Sequence, residues 1–247
     1  LLALEIETLY NSGVPLLTGT QPQAANLKAW YKLDQSANWE ADTAGNWQIP
    51  DAVSAYPQSF DFDGSSGQEI AIGNNTLING FASATFSFWF KGKSGLASFD
   101  GLLCQRSLGS DYCLIHVDGV SGSNYKILMQ QSGGGYARQD SATLQLNKWY
   151  HVCVTGSVGS IWNIYINGQL SNSYGSAQNI SGIVQNNAPF RIGRDGTTSV
   201  AVGEFSNVQI FNTELPATGT NSVETLYNNG APLTTAIATN NLKAWYK

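Results

Sequence analysis

Apolar and polar residues alternate in short runs along this chain, and glycine, asparagine and serine punctuate the runs. In Thr85-Phe86-Ser87-Phe88-Trp89-Phe90-Lys91 the three phenylalanines fall on one face of an extended segment, with Ser87, Trp89 and Lys91 on the other, because successive strand side chains point to opposite sides. Ile161-Trp162-Asn163-Ile164-Tyr165-Ile166 runs into Asn167-Gly168 and then Gln169-Leu170. Asn-Gly accepts the positive φ of a two-residue turn between antiparallel strands, so this segment predicts a hairpin. The same alternation predicts strands at Leu27 to Leu33, Ser59 to Asp63, Glu69 to Ile72, Leu102 to Arg106, Tyr112 to Val117 and Tyr125 to Gln130, then at Trp149 to Thr155, Phe190 to Gly193 and Glu204 to Phe211.

A helical period is nearly missing. One short helix is predicted from Thr220 to Tyr227, with a relative near Glu5 to Tyr10, and Gly230 is placed at its C-terminal end, where glycine supplies the left-handed residue that stops a helix. Strands with one apolar face bury it against a second sheet. The expected fold is therefore all-β, a two-sheet antiparallel β-sandwich with one short C-terminal helix.

Two phrases occur twice. Glu7-Thr8-Leu9-Tyr10-Asn11-Ser12-Gly13-Val14-Pro15-Leu16 returns as Glu224-Thr225-Leu226-Tyr227-Asn228-Asn229-Gly230-Ala231-Pro232-Leu233, and Asn26-Leu27-Lys28-Ala29-Trp30-Tyr31-Lys32 returns unchanged as Asn241 to Lys247. The spacing is that of a whole domain, against the ~20–50 residues of a solenoid repeat. It predicts 1–25 as the tail of one unit and a linker, 26–233 as a complete domain, and 234–247 as a linker with the first strand of a following unit. A tandem array of large modules points to a surface or structural protein.

Composition narrows the partners. Only 12% of the 247 residues are charged and the formal net charge is -5. A neutral, amide-rich and hydroxyl-rich surface with no basic patch excludes a phosphate backbone as partner, so no nucleic acid is expected. Nothing approaches the ~18 consecutive apolar residues of a membrane span, so no membrane insertion is expected within this sequence. Cys104, Cys113 and Cys153 are odd in number, and Cys104 and Cys113 flank one predicted turn; they read as buried apolar side chains or as one cross-hairpin disulfide. The polar composition leans towards an extracellular, cell-surface or virion-surface setting.

The order of several phrases resembles the laminin-G-like and pentraxin-like branch of the concanavalin A-like jelly rolls found in bacterial and phage surface proteins. Leu27 to Asp34 with Asp42-Thr43-Ala44-Gly45-Asn46 resembles the opening strand and its turn. Phe62-Asp63-Gly64, Phe86 to Lys91, Asn147 to Val152, Ile164 to Gly168 and Phe190 to Arg194 follow in order, and Gly203 to Leu215 resembles the closing strand. The resemblance implies a lectin-like sandwich in which an aspartate of the closing strand helps to hold a structural calcium. Here Ser206 stands at that position, read as sharing a face with Val208 and Ile210. Calcium needs several oxygen ligands, carboxylates among them, so no cofactor is required. Asp61 and Asp63, two apart and on one strand face, are the remaining metal candidates.

The resemblance also implies an alternative, a polysaccharide-degrading, glucanase-like enzyme with paired acids on a strand. The nearest pair, Glu5-Ile6-Glu7, returns as Ser222-Val223-Glu224 and loses its first acid. His116 and His151 stand apart in the sequence without metal-ligand spacing, so they read as core or sheet-surface residues and no catalytic residue is assigned. The expected function is a non-catalytic repeat module serving adhesion or assembly. Its partners are glycans, such as host-surface polysaccharide, or identical neighbouring modules. Aromatic rings stack on sugar C–H groups and amides bond hydroxyls. Trp39 and Trp47, in a polar segment, and Tyr136 with Arg138, just after Gly133-Gly134-Gly135, are the candidate glycan contacts.

Overall fold

The computed structural model describes residues 40–41, 47–48, 59–72, 77–106, 112–132, 136–139, 143–176, 188–196 and 199–247. The chain forms two compact units, Leu1–Ser54 and Ala55–Lys247. In the first, β1 (Glu40–Ala41) pairs antiparallel with β2 (Trp47–Gln48).

The second unit is a sandwich of two antiparallel sheets. Its strands are β3 (Phe60–Asp63), β4 (Ile70–Ile72), β5 (Ser83–Gly92), β6 (Gly101–Arg106), β7 (Tyr112–Ser121), β8 (Asn124–Gln131), β9 (Tyr136–Gln139), β10 (Leu144–Gln145) and β11 (Tyr150–Ser157). There follow β12 (Asn163–Ile166), β13 (Gln169–Leu170), β14 (Asn172–Ser176), β15 (Phe190–Ile192), β16 (Val202–Phe211) and β17 (Leu242–Tyr246). An eight-stranded sheet has the order β14-β9-β8-β7-β6-β15-β4, with β10 also on β8. A seven-stranded sheet has the order β13-β12-β11-β5-β16-β17, with β3 also on β16. The two-sheet antiparallel β-sandwich expected from the sequence is the observed fold.

Alternation decides what is buried. Phe86, Phe88 and Phe90 of β5 enter the main core between the sheets, with Val152 and Val154 of β11 and Ile115, Val117, Ile127 and Met129 from the facing sheet. Fully burying one such side chain is worth about 1.5–3 kcal/mol. The large Trp162 fits over Gly156, where a methyl group added to the glycine would collide with the indole, and its Nε1 donates to Gln131 Oε1 at 3.1 Å. The Asn167-Gly168 hairpin forms as expected, with φ of 50° and 77° at the two residues.

The outer face of the seven-stranded sheet is covered near its end by α1 (Val223–Tyr227). Ser222 caps this helix by accepting from Thr225 N–H at 3.2 Å. Val223 and Leu226 form a second apolar cluster with Cys153, Tyr165, Phe211 and Leu215. The helix stops before the expected glycine, because Asn228 already adopts the left-handed conformation (φ 48°) and a 3-10 turn, Asn228–Gly230, follows. Leu242–Tyr246 adds to the edge of β16 as β17.

Two sequence expectations need correction. Ser206 does not share a face with Val208 and Ile210: the ladder to β5 shifts between Ser206 and Gln209, where Asn207 takes φ 52°. This bulge leaves Ser206 opposite Trp89 on the outer face and turns Val208 and Ile210 into the core. Cys104 and Cys113 do not face each other either. Cys104 pairs with Leu114 and Cys113 with Gln105, which puts the two thiols on opposite sheet faces, and all three cysteines are buried and outside any disulfide.

Candidate functional site

The outer face of the eight-stranded sheet is built from the positions of β6 to β9 that alternate with the core positions. Register places Tyr136, Gln130, Leu114, Cys104 and Arg191 in one row across β9, β8, β7, β6 and β15. Arg138, Leu128 and His116 form the row on one side of it, and Tyr112 faces Arg106 on the other side. A cleft of about 160 Å³ opens on this face among Phe99, Arg106, Tyr112, His116, Gln130 and Asp195.

Phe99 gives the cleft its most unusual feature. Its side chain is 60% exposed and its backbone lies at φ 73°, a left-handed conformation that is a true outlier for a bulky residue. β7 holds it there: Phe99 N–H donates to Val117 O at 2.8 Å, and Val117 N–H donates to Asp100 O at 3.0 Å. The Phe99 ring stacks on His116 with centroids 5.6 Å apart. His116 Nε2 lies 3.0 Å from Gln130 Oε1, and Nδ1 lies 3.2 Å from Val117 O. Burial holds the His116 pKa below its ordinary value, although the contacts with Gln130 and Val117 pull the other way. The cleft therefore offers a neutral imidazole and a primary amide side by side.

Opposite charges are paired across the face. Arg106 bonds Asp195 at 3.2 Å, Arg138 bonds Asp118 at 3.0 Å, and Arg191 and Arg194 meet Glu69 at 3.1 and 3.5 Å. The Arg106 guanidinium also lies 5.9 Å from the Tyr112 ring centre. Behind the cleft, burial raises the Asp100 pKa to about 6, with Asp195 adding repulsion, while its Oδ2 accepts from Ala97 N–H at 2.7 Å.

A second, larger depression of about 550 Å³ lies between Thr213–Pro216 and Ala236–Asn241. Its lining carries no aromatic ring, so it lacks the stacking surface of the first.

The sequence candidates divide between these places. Tyr136 and Arg138 stand on β9 in the two rows that lead into the cleft. Trp39 lies outside the described residues, as do Glu5 and Glu7; Trp47 is in β2, its backbone paired with Ala41 in the other unit. Asp61 and Asp63 both point outward from β3. Asp61 meets Lys93 at 2.9 Å, and the Ser65 side chain first, then Ser65 N–H donating to Asp63 Oδ1 at 2.8 Å, lower the Asp63 pKa. Among the described residues no three His, Cys, Asp or Glu side chains group as a metal site. His151 is buried under the helix side of the other sheet, 2.8 Å from Ser87 Oγ, and desolvation pushes its pKa down to about 3. Among the described residues no helix is long and apolar enough to cross a membrane.

Phe99, Tyr112, His116 and Gln130 were missed as a group. Tyr112 and His116 share a strand face in the sequence, but the turn that brings Phe99 over them has no sequence signature beyond Gly95 and Gly101. At Gly101 an added Cβ would run into the backbone of Arg194 and Asp195, so only glycine lets β6 approach the segment that closes the cleft.

Solved structures share this architecture. Domain 4 of AbnA, a GH43 extracellular arabinanase from Geobacillus stearothermophilus solved with arabinotriose, is 16% identical, with a TM-score of 0.51 over 78% of this chain and 82% of that one. A heptameric SAP-like pentraxin from Limulus polyphemus is 15% identical, with a TM-score of 0.51 over 76% of this chain and 90% of that one. At such identities the likeness is one of fold. No curated protein matches the chain. The family profile described as "Concanavalin A-like lectin/glucanases superfamily" matches residues 62–219. These residues run from β3 to the approach of α1 and include the whole cleft, and the chain belongs to the concanavalin A-like lectin/glucanases superfamily.

Proposed function

We propose that the chain is a non-catalytic glycan-binding module of an extracellular adhesion or structural protein, and that its cleft between Phe99 and Tyr112 receives one ring of a neutral polysaccharide. The observation that carries this reading is Phe99, exposed and held at φ 73° over His116. A strained, exposed ring has no stabilising purpose in the core, and such strain gathers at ligand sites. A sugar stacked on Phe99 or Tyr112 would meet Gln130, His116 and Arg106 as hydroxyl partners. The cleft is smaller than the ~300–1,000 Å³ that encloses a drug-sized ligand, which suits a single ring of a chain lying across the sheet. Pairing of the arginines with Asp195, Asp118 and Glu69 favours uncharged sugars over sialylated or sulfated ones. The arabinotriose bound by the GH43 domain is in keeping with a neutral oligosaccharide.

The catalytic alternative draws on Asp100, whose pKa near 6 is that of a proton donor. Its carboxyl is engaged by Ala97 N–H, and Asp195, its acidic neighbour, is tied to Arg106. The experiment is a glycan array read beside a reducing-sugar assay on the same polysaccharides. Saturable binding of neutral glycans without sugar release supports the module; release abolished by Asp100→Asn would make it an enzyme.

A further inference from the structure

Exposure falls steadily along one row of the eight-stranded sheet. The row runs Tyr136, Gln130, Leu114, Cys104 across β9, β8, β7 and β6. Tyr136 and Gln130 are half-buried, Leu114 is 8% exposed and Cys104 is fully buried. The segment after β15 stands at the buried end. Gly101 has no side chain, so the backbone of Arg194 and Asp195 lies directly against the start of β6. Gly101 N–H and Asp195 N–H both donate to Ser199 O, at 3.4 and 3.1 Å, which ties this segment down. Asp195 bonds Arg106 at 3.2 Å, and both residues line the cleft. Burial raises the Cys104 pKa, and Asp195 and Arg106 are near enough to act on the same thiol.

The flanks of the row are built as well. On one side, Phe99 over His116 is continued by Arg138, which bonds Asp118 at 3.0 Å from β9 across to β7. Leu128, in the row of Arg138 and His116, is 2% exposed between them. On the other side stand Tyr112 and Arg106. Among the described residues the floor therefore rises towards solvent in one direction, over Gln130 and Tyr136. Two strand spacings, roughly 10 Å, separate Leu114 from Tyr136, so a ring seated over Leu114 does not reach the tyrosine, but the units that follow it along the row do.

We infer that the cleft selects the end of a neutral glycan chain: the terminal ring sits over Leu114 between Phe99 and Tyr112, stopped by Asp195 and Arg106, and the chain leaves over Gln130 and Tyr136. This rests on the glycan-binding reading above and adds which part of the polymer is held. A ring inside a chain has a neighbour on each side and needs two exits, whereas the row has one. The blocked exit is walled by backbone, which does not swing aside as a lone side chain would. Along the open exit, Gln130 offers an amide to hydroxyls and Tyr136 a stacking face.

Short and long fractions of linear amylose, mannan, xylan and arabinan, each of known mean chain length, test this with the unaltered chain. Binding is titrated against every fraction and capacity is expressed per gram of polysaccharide. End selection predicts a capacity that falls in inverse proportion to chain length. Capacity per gram that does not change with length overturns end selection and leaves the module a glycan binder, whereas no binding to any fraction overturns the glycan-binding reading as well. The Phe99→Ala/Tyr112→Ala chain should bind none of the fractions. Binding that persists in it with the same length dependence puts end recognition elsewhere and contradicts the inference. A second measurement follows the exit. Tyr136→Ala should weaken binding of a tetrasaccharide of the bound polymer severalfold and that of its disaccharide less. Equal loss at the two lengths, or no loss at either, contradicts the path over β9.

Discussion

Phe99 stacks on His116 at 5.6 Å with the ring planes 24° apart, and it does so from a backbone at φ 73°. Such a conformation costs roughly 1–3 kcal/mol for a residue that is not glycine. Ligand binding and stability should therefore respond oppositely at this position. Phe99→Gly is expected to change folding stability by less than about 1 kcal/mol, since relief of strain offsets the lost stacking and the entropy of glycine. The same variant should lose glycan binding. Urea unfolding and glycan titration on one preparation check both halves.

The two sheets place a buried base and a buried acid that titrate with opposite consequences. His151 has a folded pKa of about 3 through desolvation, against about 6.5 in an unfolded chain. Between those values the unfolded state holds more protons, so stability falls as pH falls through that window. Asp100 has a folded pKa of about 6, above the unfolded value of about 3.9. Between its two values the folded state holds more protons, so its contribution to stability falls as pH rises. His151→Gln should flatten the loss of stability from pH 6.5 towards pH 4. Asp100→Asn, which keeps an acceptor for Ala97 N–H, should stabilise the chain most at pH 8 and progressively less below pH 6. Denaturant midpoints measured across pH 4 to 8 check the two slopes.

The packing of Trp162 against Gly156 gives a third test. The indole is fully buried and stacks with Phe86 at 6.2 Å. Trp162→Ala should cost about 3–5 kcal/mol through the cavity and lost transfer energy. Gly156→Ala should cost about 1–3 kcal/mol by overpacking, since the new methyl has no room beside the ring. Neither residue reaches the cleft, so glycan affinity of the folded fraction should be unchanged.

The pairing of charges predicts how salt acts. Arg106 reaches both Asp195 and the Tyr112 ring, so it positions the ring as well as offering a donor. Arg106→Lys keeps the charge but loses the planar fork, and is expected to weaken glycan binding severalfold. Because the proposed ligand is neutral, affinity of the unaltered chain should vary little between 50 mM and 500 mM NaCl. Titrations at the two salt concentrations measure this.

Much of the fold is legible in the sequence because burial follows alternation. Phe86, Phe88 and Phe90 declare the inner face of β5, and Asn167-Gly168 declares its hairpin, since the turn needs the conformation those residues accept. Alternation counts residues, so it fails where a bulge adds to the count. Asn207 turned Ser206 away from Val208 in that way. The hairpin of β6 and β7 kept its strands but not the facing of Cys104 and Cys113, because register is one residue off that needed to join them. The cleft was less legible still. Tyr136 and Arg138 were singled out and lie on its face, but Phe99 is brought over His116 by backbone bonds to Val117, which no local pattern encodes.

The central claim is that the outer face of the eight-stranded sheet binds sugar at Phe99 and Tyr112. Isothermal titration of one neutral oligosaccharide against the unaltered chain, the Phe99→Ala/Tyr112→Ala chain and the Trp39→Ala/Trp47→Ala chain tests it most directly. The account predicts that binding is lost in the first variant, with the circular dichroism of the sandwich retained, and kept in the second. Undiminished binding by the Phe99→Ala/Tyr112→Ala chain would contradict it.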